Sequence, residues 1–281
     1  MIEKEIIVLY HSNCLDGLFS AWVSYLKLKN KADYLAFNYS DYQELKEIKN
    51  KKIYFLDLSL PKKVILQLKE NKNYLILIDH HLSSESILDL FNEKIFNPNH
   101  SGCILAFSYF FKKKRIFKIL KYIEDIDLWR FSLKDSSKIF SYLEAIEDLD
   151  FKKINQLAKK IEDKNQRKLI IKNGEIIEKY KNSLIKKAEE KAFLVNFEGY
   201  KVFACNSSCL FSEIGNRLAK KKPPFSIIFY YNNNGLRVSL RGDGSLNLSK
   251  IAEKYGGGGH FSAASFLWPK NKKQKEPWQR I

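Results

Sequence analysis

The chain holds only five histidines, His11, His80, His81, His100 and His260, and three of them stand in runs shared with aspartate. His11 opens the run His11-Ser12-Asn13-Cys14-Leu15-Asp16-Gly17, and His80 and His81 directly follow Asp79. Two more aspartates are placed to join them: Asp57 after Ile53-Tyr54-Phe55-Leu56, and Asp127 in Glu124-Asp125-Ile126-Asp127-Leu128-Trp129. Imidazole and carboxylate together suit Mn2+, Zn2+ or Fe2+, whereas Mg2+ and Ca2+ prefer all-oxygen shells. Several carboxylates in one place can hold two ions about 3.5–4 Å apart with one Asp shared between them, as two-metal phosphoesterases do. Taken singly, a His is a core residue and an Asp after a strand is a helix cap. Only their convergence makes a site.

A second cluster is Tyr255-Gly256-Gly257-Gly258-Gly259-His260. Consecutive glycines let the backbone approach a ligand and turn N–H groups onto an anion, with His260 as a polar tip. Arg241, after the strand-like Arg237–Leu240, can give a bidentate contact to phosphate or guanine.

Convergence depends on the elements behind these residues. Ile6–Tyr10, Tyr34–Asn38, Ile53–Leu56 and Leu75–Ile78 are apolar runs of strand length. Helical periodicity lies between them, from Gly17 to about Leu28 and, opened by Pro61, over about Lys62–Lys69. Strands alternating with helices predict a mostly parallel sheet, whose ligands bind beyond the carboxyl ends of its strands. His11, Asp57 and Asp79-His80-His81 all stand at such ends. From Ser101 to about Lys191 the pattern is helical. Strands return at Tyr200–Ala204, Phe225–Tyr231 and Leu236–Leu240, the last two joined by the turn Asn232-Asn233-Asn234-Gly235. Helices are expected at about Ser212–Lys221 and Leu248–Lys254. The fold class is therefore α/β, with a second, smaller α/β unit. The boundaries expected are 1–185 for a metal-binding domain with its helical connector, 192–268 for the second α/β domain, and 269–281 for a frayed basic tail.

Composition bounds the function classes. With 281 residues, 45% hydrophobic and 14% aromatic, the chain can fill buried cores, which excludes disorder as its main state. No apolar run approaches the roughly 18–20 residues of a membrane span, and the charged start Met1-Ile2-Glu3-Lys4-Glu5 is unlike a secretory signal. Four cysteines are too few for a disulfide scaffold, which favours a reducing, cytoplasmic location. The formal charge is +17, carried by 42 lysines and seven arginines. Such a field draws polyanions and phosphorylated metabolites without selecting among them.

With these residues laid out, the chain resembles the DHH phosphoesterase superfamily, in particular its two-domain nanoRNase and pAp-phosphatase type. Asp79-His80-His81 resembles the motif that names the superfamily. His11 with Asp16-Gly17, then Asp57, then Asp127 are similar to its other metal motifs, in order. Gly256–His260, Asn206, Ser212–Asn216 and Ser239-Leu240-Arg241 are similar to its DHH-associated domain. The resemblance covers about residues 6–268. It implies two divalent metal ions, Mn2+ first: one held by His11, the residue at 14 and Asp57, the other by Asp16, bridging Asp57, His80 and Asp127. Asp125 is the rival to Asp127. Position 14 is an aspartate in many members; Cys14 implies a shift toward Zn2+ or Fe2+. By the same resemblance, Asp57, His81 and His100 are catalytic. His81 touches the scissile phosphate, and His100 steadies the phosphoryl oxygens or the leaving group. Ser101, Arg241, Gly257, Gly258, Gly259 and His260 bind substrate, Ser101-Gly102 as a helix start that offers N–H groups. The implied substrates are nanoRNA of two to five residues, dinucleotides such as pGpG, and pAp. Other implied readings are a cyclic dinucleotide phosphodiesterase, a polyphosphatase, a single-strand exonuclease, or a metal-impaired nucleotide- or RNA-binding protein. A homodimer is expected from the resemblance alone.

Overall fold

The structure, a computed structural model, describes residues 3–12, 14–37, 42–259, 261–270 and 276–281, with the backbone only at 42–44. The chain divides into two compact units, 1–178 and 179–281.

The first unit contains β1 (Ile6–His11), α1 (Leu15–Leu28), β2 (Ala32–Phe37), β3 (Lys52–Leu56), α2 (Lys62–Glu70), β4 (Tyr74–Asp79) and β5 (Glu93–Phe96). The helices α3 (Gly102–Phe110), α4 (Lys118–Asp127), α5 (Ser136–Glu144) and α6 (Phe151–Glu162) follow. The sheet runs in the order β2-β1-β3-β4-β5, and every pair is parallel. Its strands are apolar on both faces because both faces are covered. Val8, Tyr54, Ile76 and Ile78 pack with Phe19, Trp22 and Ile104 on the side of α1 and α3. Their neighbours Ile7, Leu9, Phe55 and Leu77 pack with Ile65 and Leu68 of α2 on the other. Side chains of a strand alternate between faces, so these uninterrupted runs serve both layers. β5 was not expected; at four residues, with two charged members in Glu93-Lys94-Ile95-Phe96, it is a short edge strand with little pattern to read.

The long helix α7 (Lys164–Glu190) carries the chain from the first unit into the second. The second unit holds β6 (Phe193–Phe197), β7 (Tyr200–Asn206), α8 (Phe211–Lys221), β8 (Phe225–Asn232), β9 (Gly235–Gly242), α9 (Leu248–Glu253), β10 (Gly258–Gly259), β11 (Ala263–Pro269) and β12 (Gln279–Arg280). They form one sheet, β10-β11-β9-β8-β7-β6-β12, antiparallel except between β7 and β8. α8 covers one face through Ile214 and Leu218, which pack with Cys205 and Ile228. On the other face α9 joins an aromatic core of Phe197, Phe225, Phe266 and Trp278.

The frayed tail expected over 269–281 needs correction. Gln279 and Arg280 pair with Asn196 and Val195, and Trp278 is only 4% exposed, its ring 5.0 Å from that of Phe229. A buried indole outweighs the local bias of a lysine-rich segment toward solvent. No helix among the described residues is long and apolar enough to cross a membrane.

Candidate metal centre

Parallel pairing sets the carboxyl ends of β1, β3 and β4 side by side. The chain leaves β1 for β2 on one side and returns to β3 on the other, and such a reversal opens a crevice at the ends of β1 and β3. Asp57 stands at that crevice. Its backbone is left-handed, with φ 54°, a conformation that aspartate tolerates better than most residues, and its N–H donates to Ile78 O at 3.0 Å. The two carboxylate oxygens of Asp57 serve different neighbours. Oδ2 lies 3.7 Å from His11 Nδ1 and 3.6 Å from Cys14 Sγ, while Oδ1 lies 3.2 Å from His80 Nε2. His80 Nε2 is also 3.6 Å from Asp127 Oδ2 and 4.0 Å from Asp16 Oδ2. Three overlapping groups of donors therefore gather around Asp57: His11, Cys14 and Asp57; Asp16, His80 and Asp127; and Asp57, Asp79, His80 and His81.

Asp16 is held by the start of α3. Its Oδ2 accepts from Gly102 N at 2.6 Å and its Oδ1 from Cys103 N at 3.0 Å, so the positive end of a helix faces a carboxylate. The approach leaves no room for a side chain at 102: a Cβ there would stand 2.7 Å from Asp57 Cβ and 2.8 Å from Asp16 Oδ2. The N–H groups of Ser101 and Gly102 were expected to face substrate phosphate; that of Gly102 is taken by Asp16, and that of Ser101 lies 3.4 Å from Glu124 Oε1. Ser101 is fully buried, its hydroxyl 3.3 Å from Cys103 Sγ, so its side chain faces the interior and not a ligand.

Asp79 is buried in the third of these groups, but both its oxygens are spent on hydrogen bonds and it orients His81. Its Oδ1 is 2.6 Å from His81 Nδ1 and accepts from His80 N, while Oδ2 accepts from the Ser84 hydroxyl. Asp125 is likewise spent on structure. It accepts from Ser132 N and Oγ, Leu133 N and Ser136 Oγ, which leaves Asp127 as the aspartate of α4 in the cluster. His100 is largely exposed, and its Nδ1 is 2.7 Å from Glu124 Oε1. Glu124 was not singled out in the sequence; its spacing of three residues from Asp127 on a helix is the signal that puts both on one face.

The electrostatics describe a cluster crowded with negative charge. Burial and the Asp57 carboxylate push the Asp16 carboxyl up to about 6. Burial, Asp16 and Asp57 raise Asp127 well above its ordinary value, and burial with the same carboxylates raises the Cys14 thiol. Asp57 goes the other way: burial opposes it, but His11, His80 and the charge on His81 hold it below the usual carboxylate range. Burial disfavours a charged His81 ring, yet Asp79 and Asp57 raise it to about 10. Asp57 Oδ1, His80 Nε2 and Asp127 Oδ2 are buried and make no hydrogen bond among the described residues despite their closeness. Buried polar atoms are nearly always bonded, so these converging lone pairs fit a cation among them.

In the second unit, Arg241 is half-buried on β9. Its guanidinium donates to the Ser212 hydroxyl from Nε and Nη2 at 3.3 Å, and to Leu240 O at 2.9 Å. It forms no ion pair among the described residues. Gly258 and Gly259 pair with Ser265 and Ala264 as β10, and Gly257 packs against Ser265 O and Phe266 too tightly for a Cβ. His260 lies outside the described residues.

Residues 210–276 match the DHHA1 domain family. Over 286 aligned residues, 93% of this chain and 67% of the other, the sequence is 28% identical to the uncharacterized protein R106 of Acanthamoeba polyphaga mimivirus. It is 28% identical over 151 residues, 50% of this chain, to oligoribonuclease NrnB of Bacillus subtilis. The chain spans only 37% of that enzyme's length. Among solved structures it is similar to the pGpG-specific phosphodiesterase PggH of Vibrio cholerae, with a TM-score of 0.50 and 14% identity over 95% of this chain and 94% of that one. The chain thus carries a DHHA1 domain over residues 210–276, after a parallel-sheet unit with this histidine–aspartate edge, and is similar to proteins of the DHH phosphoesterase superfamily.

Proposed function

We propose that the protein is a two-metal-ion phosphodiesterase that hydrolyses short 5′-phosphorylated oligoribonucleotides and linear dinucleotides such as pGpG to mononucleotides, with pAp as a further substrate. One observation carries the reading: Asp57 presents one carboxylate oxygen to His11 and Cys14 and the other to His80. His11, Cys14 and Asp57 would hold one ion, and Asp16, Asp57, His80 and Asp127 the other. Mn2+ suits this mixture of imidazole and carboxylate, and the Cys14 sulfur extends the range to Zn2+ or Fe2+. When bound, the two ions would supply an activated water and neutralise charge on the phosphoryl group. The relatives support the choice of substrate, one being an oligoribonuclease and another of the same fold a pGpG-specific phosphodiesterase.

The protein's own residues divide the remaining work. Helix α3 fixes Asp16, and the strained turn at Asp57 fixes the shared carboxylate, so the donors are set before substrate arrives. His81, held at Nδ1 by Asp79, would donate a hydrogen bond to a phosphoryl oxygen. His100, held at Nδ1 by Glu124, would stand nearer solvent as a donor to the leaving group. Arg241 and the Gly257–Gly259 backbone would bind the substrate rather than take part in its chemistry.

Labelled RNA from dimer to 20-mer, with pGpG and pAp, incubated in Mn2+ or EDTA, tests this. Release of mononucleotides in Mn2+ alone, fastest on the shortest chains, is the expected result. Asp57→Asn, which keeps the shape and removes the charge, should lower kcat at least a thousandfold while the circular dichroism spectrum is unchanged. Turnover that survives Asp57→Asn would remove the shared-ligand assignment.

A further inference from the structure

The segment after Asp127 keeps two aromatic side chains in water. Trp129 is 45% and Phe131 51% exposed, with ring centroids 5.4 Å apart at 70°. Both residues have left-handed backbones, with φ 53° and 50°. Bulky side chains are rare in that conformation, and a strained conformation persists only where the surroundings impose it. Here Asp125 imposes it. Its backbone carbonyl accepts from Arg130 N at 2.8 Å and Phe131 N at 3.3 Å, and its carboxylate holds Ser132, Leu133 and Ser136. Arg130, between the two aromatics, donates from Nη2 to Asn99 O and pairs through Nη1 with Glu124 at 3.8 Å. The segment is therefore tied to the turn before Gly102, the residue that abuts Asp16 and Asp57.

Position fixes what such a pair can meet. Two residues of chain span at most about 7 Å, so the Trp129 backbone lies within that distance of the Asp127 backbone, whose side chain belongs to the metal cluster. A phosphate in the cluster would put the base of its own nucleotide in the neighbourhood of these rings. Aromatic side chains beside a phosphate site hold bases by stacking, whatever their sequence, because every base has a π-face.

We propose that Trp129 and Phe131 form a platform that stacks the nucleobase of the nucleotide whose phosphate enters the metal cluster. The platform selects nucleotides over polyphosphate and sugar phosphates and leaves base identity unread. It rests on the phosphodiesterase reading above for the identity of the phosphate.

Intrinsic fluorescence of the full chain, titrated with AMP, UMP and ribose 5-phosphate with and without Mn2+, tests the platform independently of turnover. AMP and UMP should quench the emission and ribose 5-phosphate should not, and Trp129→Phe should remove the quench. In turnover of a dinucleotide, Trp129→Ala should raise KM about tenfold, within the range of one stacked base, with the loss falling on KM rather than kcat. Trp129→Phe should restore most of that affinity, because a ring remains. Inhibition by AMP should weaken in Trp129→Ala by the same factor, and inhibition by ribose 5-phosphate should not change. Equal quenching by AMP and ribose 5-phosphate, or an unchanged KM in Trp129→Ala, would overturn the platform and leave the phosphodiesterase standing. AMP quenching that depends on Trp129, in a protein that cleaves no RNA or dinucleotide, would sustain the platform and remove the oligonucleotide substrate.

Discussion

Asp16 is a carboxylate that receives two helix N–H groups and still titrates high, because it is buried and lies beside the Asp57 carboxylate. In metal-free protein this has a measurable sign. The folded carboxyl titrates near 6 and the unfolded one near 3.8, so between those values the folded state binds more protons and loses stability as pH rises. The loss from Asp16 is on the order of 3 kcal/mol, and Asp127 adds to it in the same direction. Asp57 has a depressed pKa and acts oppositely, but its contribution is lost only as pH falls below the unfolded value of 3.8, outside that window. The melting temperature in EDTA should therefore fall from pH 4 to 6.5, and saturating Mn2+ should flatten the slope by keeping the carboxylates ionised. A melting temperature that rises with pH in EDTA would mean the carboxylates do not crowd one another.

At the scale of elements, the contact between the start of α3 and the strand ends decides whether the ligands are aligned. Gly102 is the only residue type that fits there, since even a methyl group would press on Asp57 and Asp16. Gly102→Ala should cost about 1–3 kcal/mol through overpacking and weaken Mn2+ binding at least tenfold by calorimetry. Ser108→Ala, near the far end of the same helix, should leave Mn2+ binding as it is; Ser108 bonds within its own helix, to Ile104 O. If Gly102→Ala binds Mn2+ normally, α3 does not set the position of Asp16.

For the molecule as a whole, each unit closes its own core. In the second unit the closing piece comes from the end of the chain, where Trp278 packs with Phe197 and Phe229. Trp278→Ala should destabilise the protein by about 3–5 kcal/mol, the usual cost of removing a buried indole, read by urea unfolding. A change within about 0.5 kcal/mol, as for a surface site, would show that this segment is not part of the core.

The sequence by itself determined the α/β class, the parallel sheet and the strand-end placement of His11, Asp57 and His80. Those follow from local periodicity and from the rule that ligands collect at carboxyl ends. It also carried the resemblance to the DHH phosphoesterase superfamily through motifs in the right order. Tertiary structure alone decided that Asp125 anchors a loop while Asp127 faces the cluster, although the two stand two residues apart in one helix. It turned the N–H groups of α3 onto Asp16, buried Ser101, and folded Trp278 back into a core that lies far away in sequence. Each of these outcomes depends on which distant groups meet in space, and side-chain hydrogen bonds and buried area across such separations leave no mark on local sequence pattern.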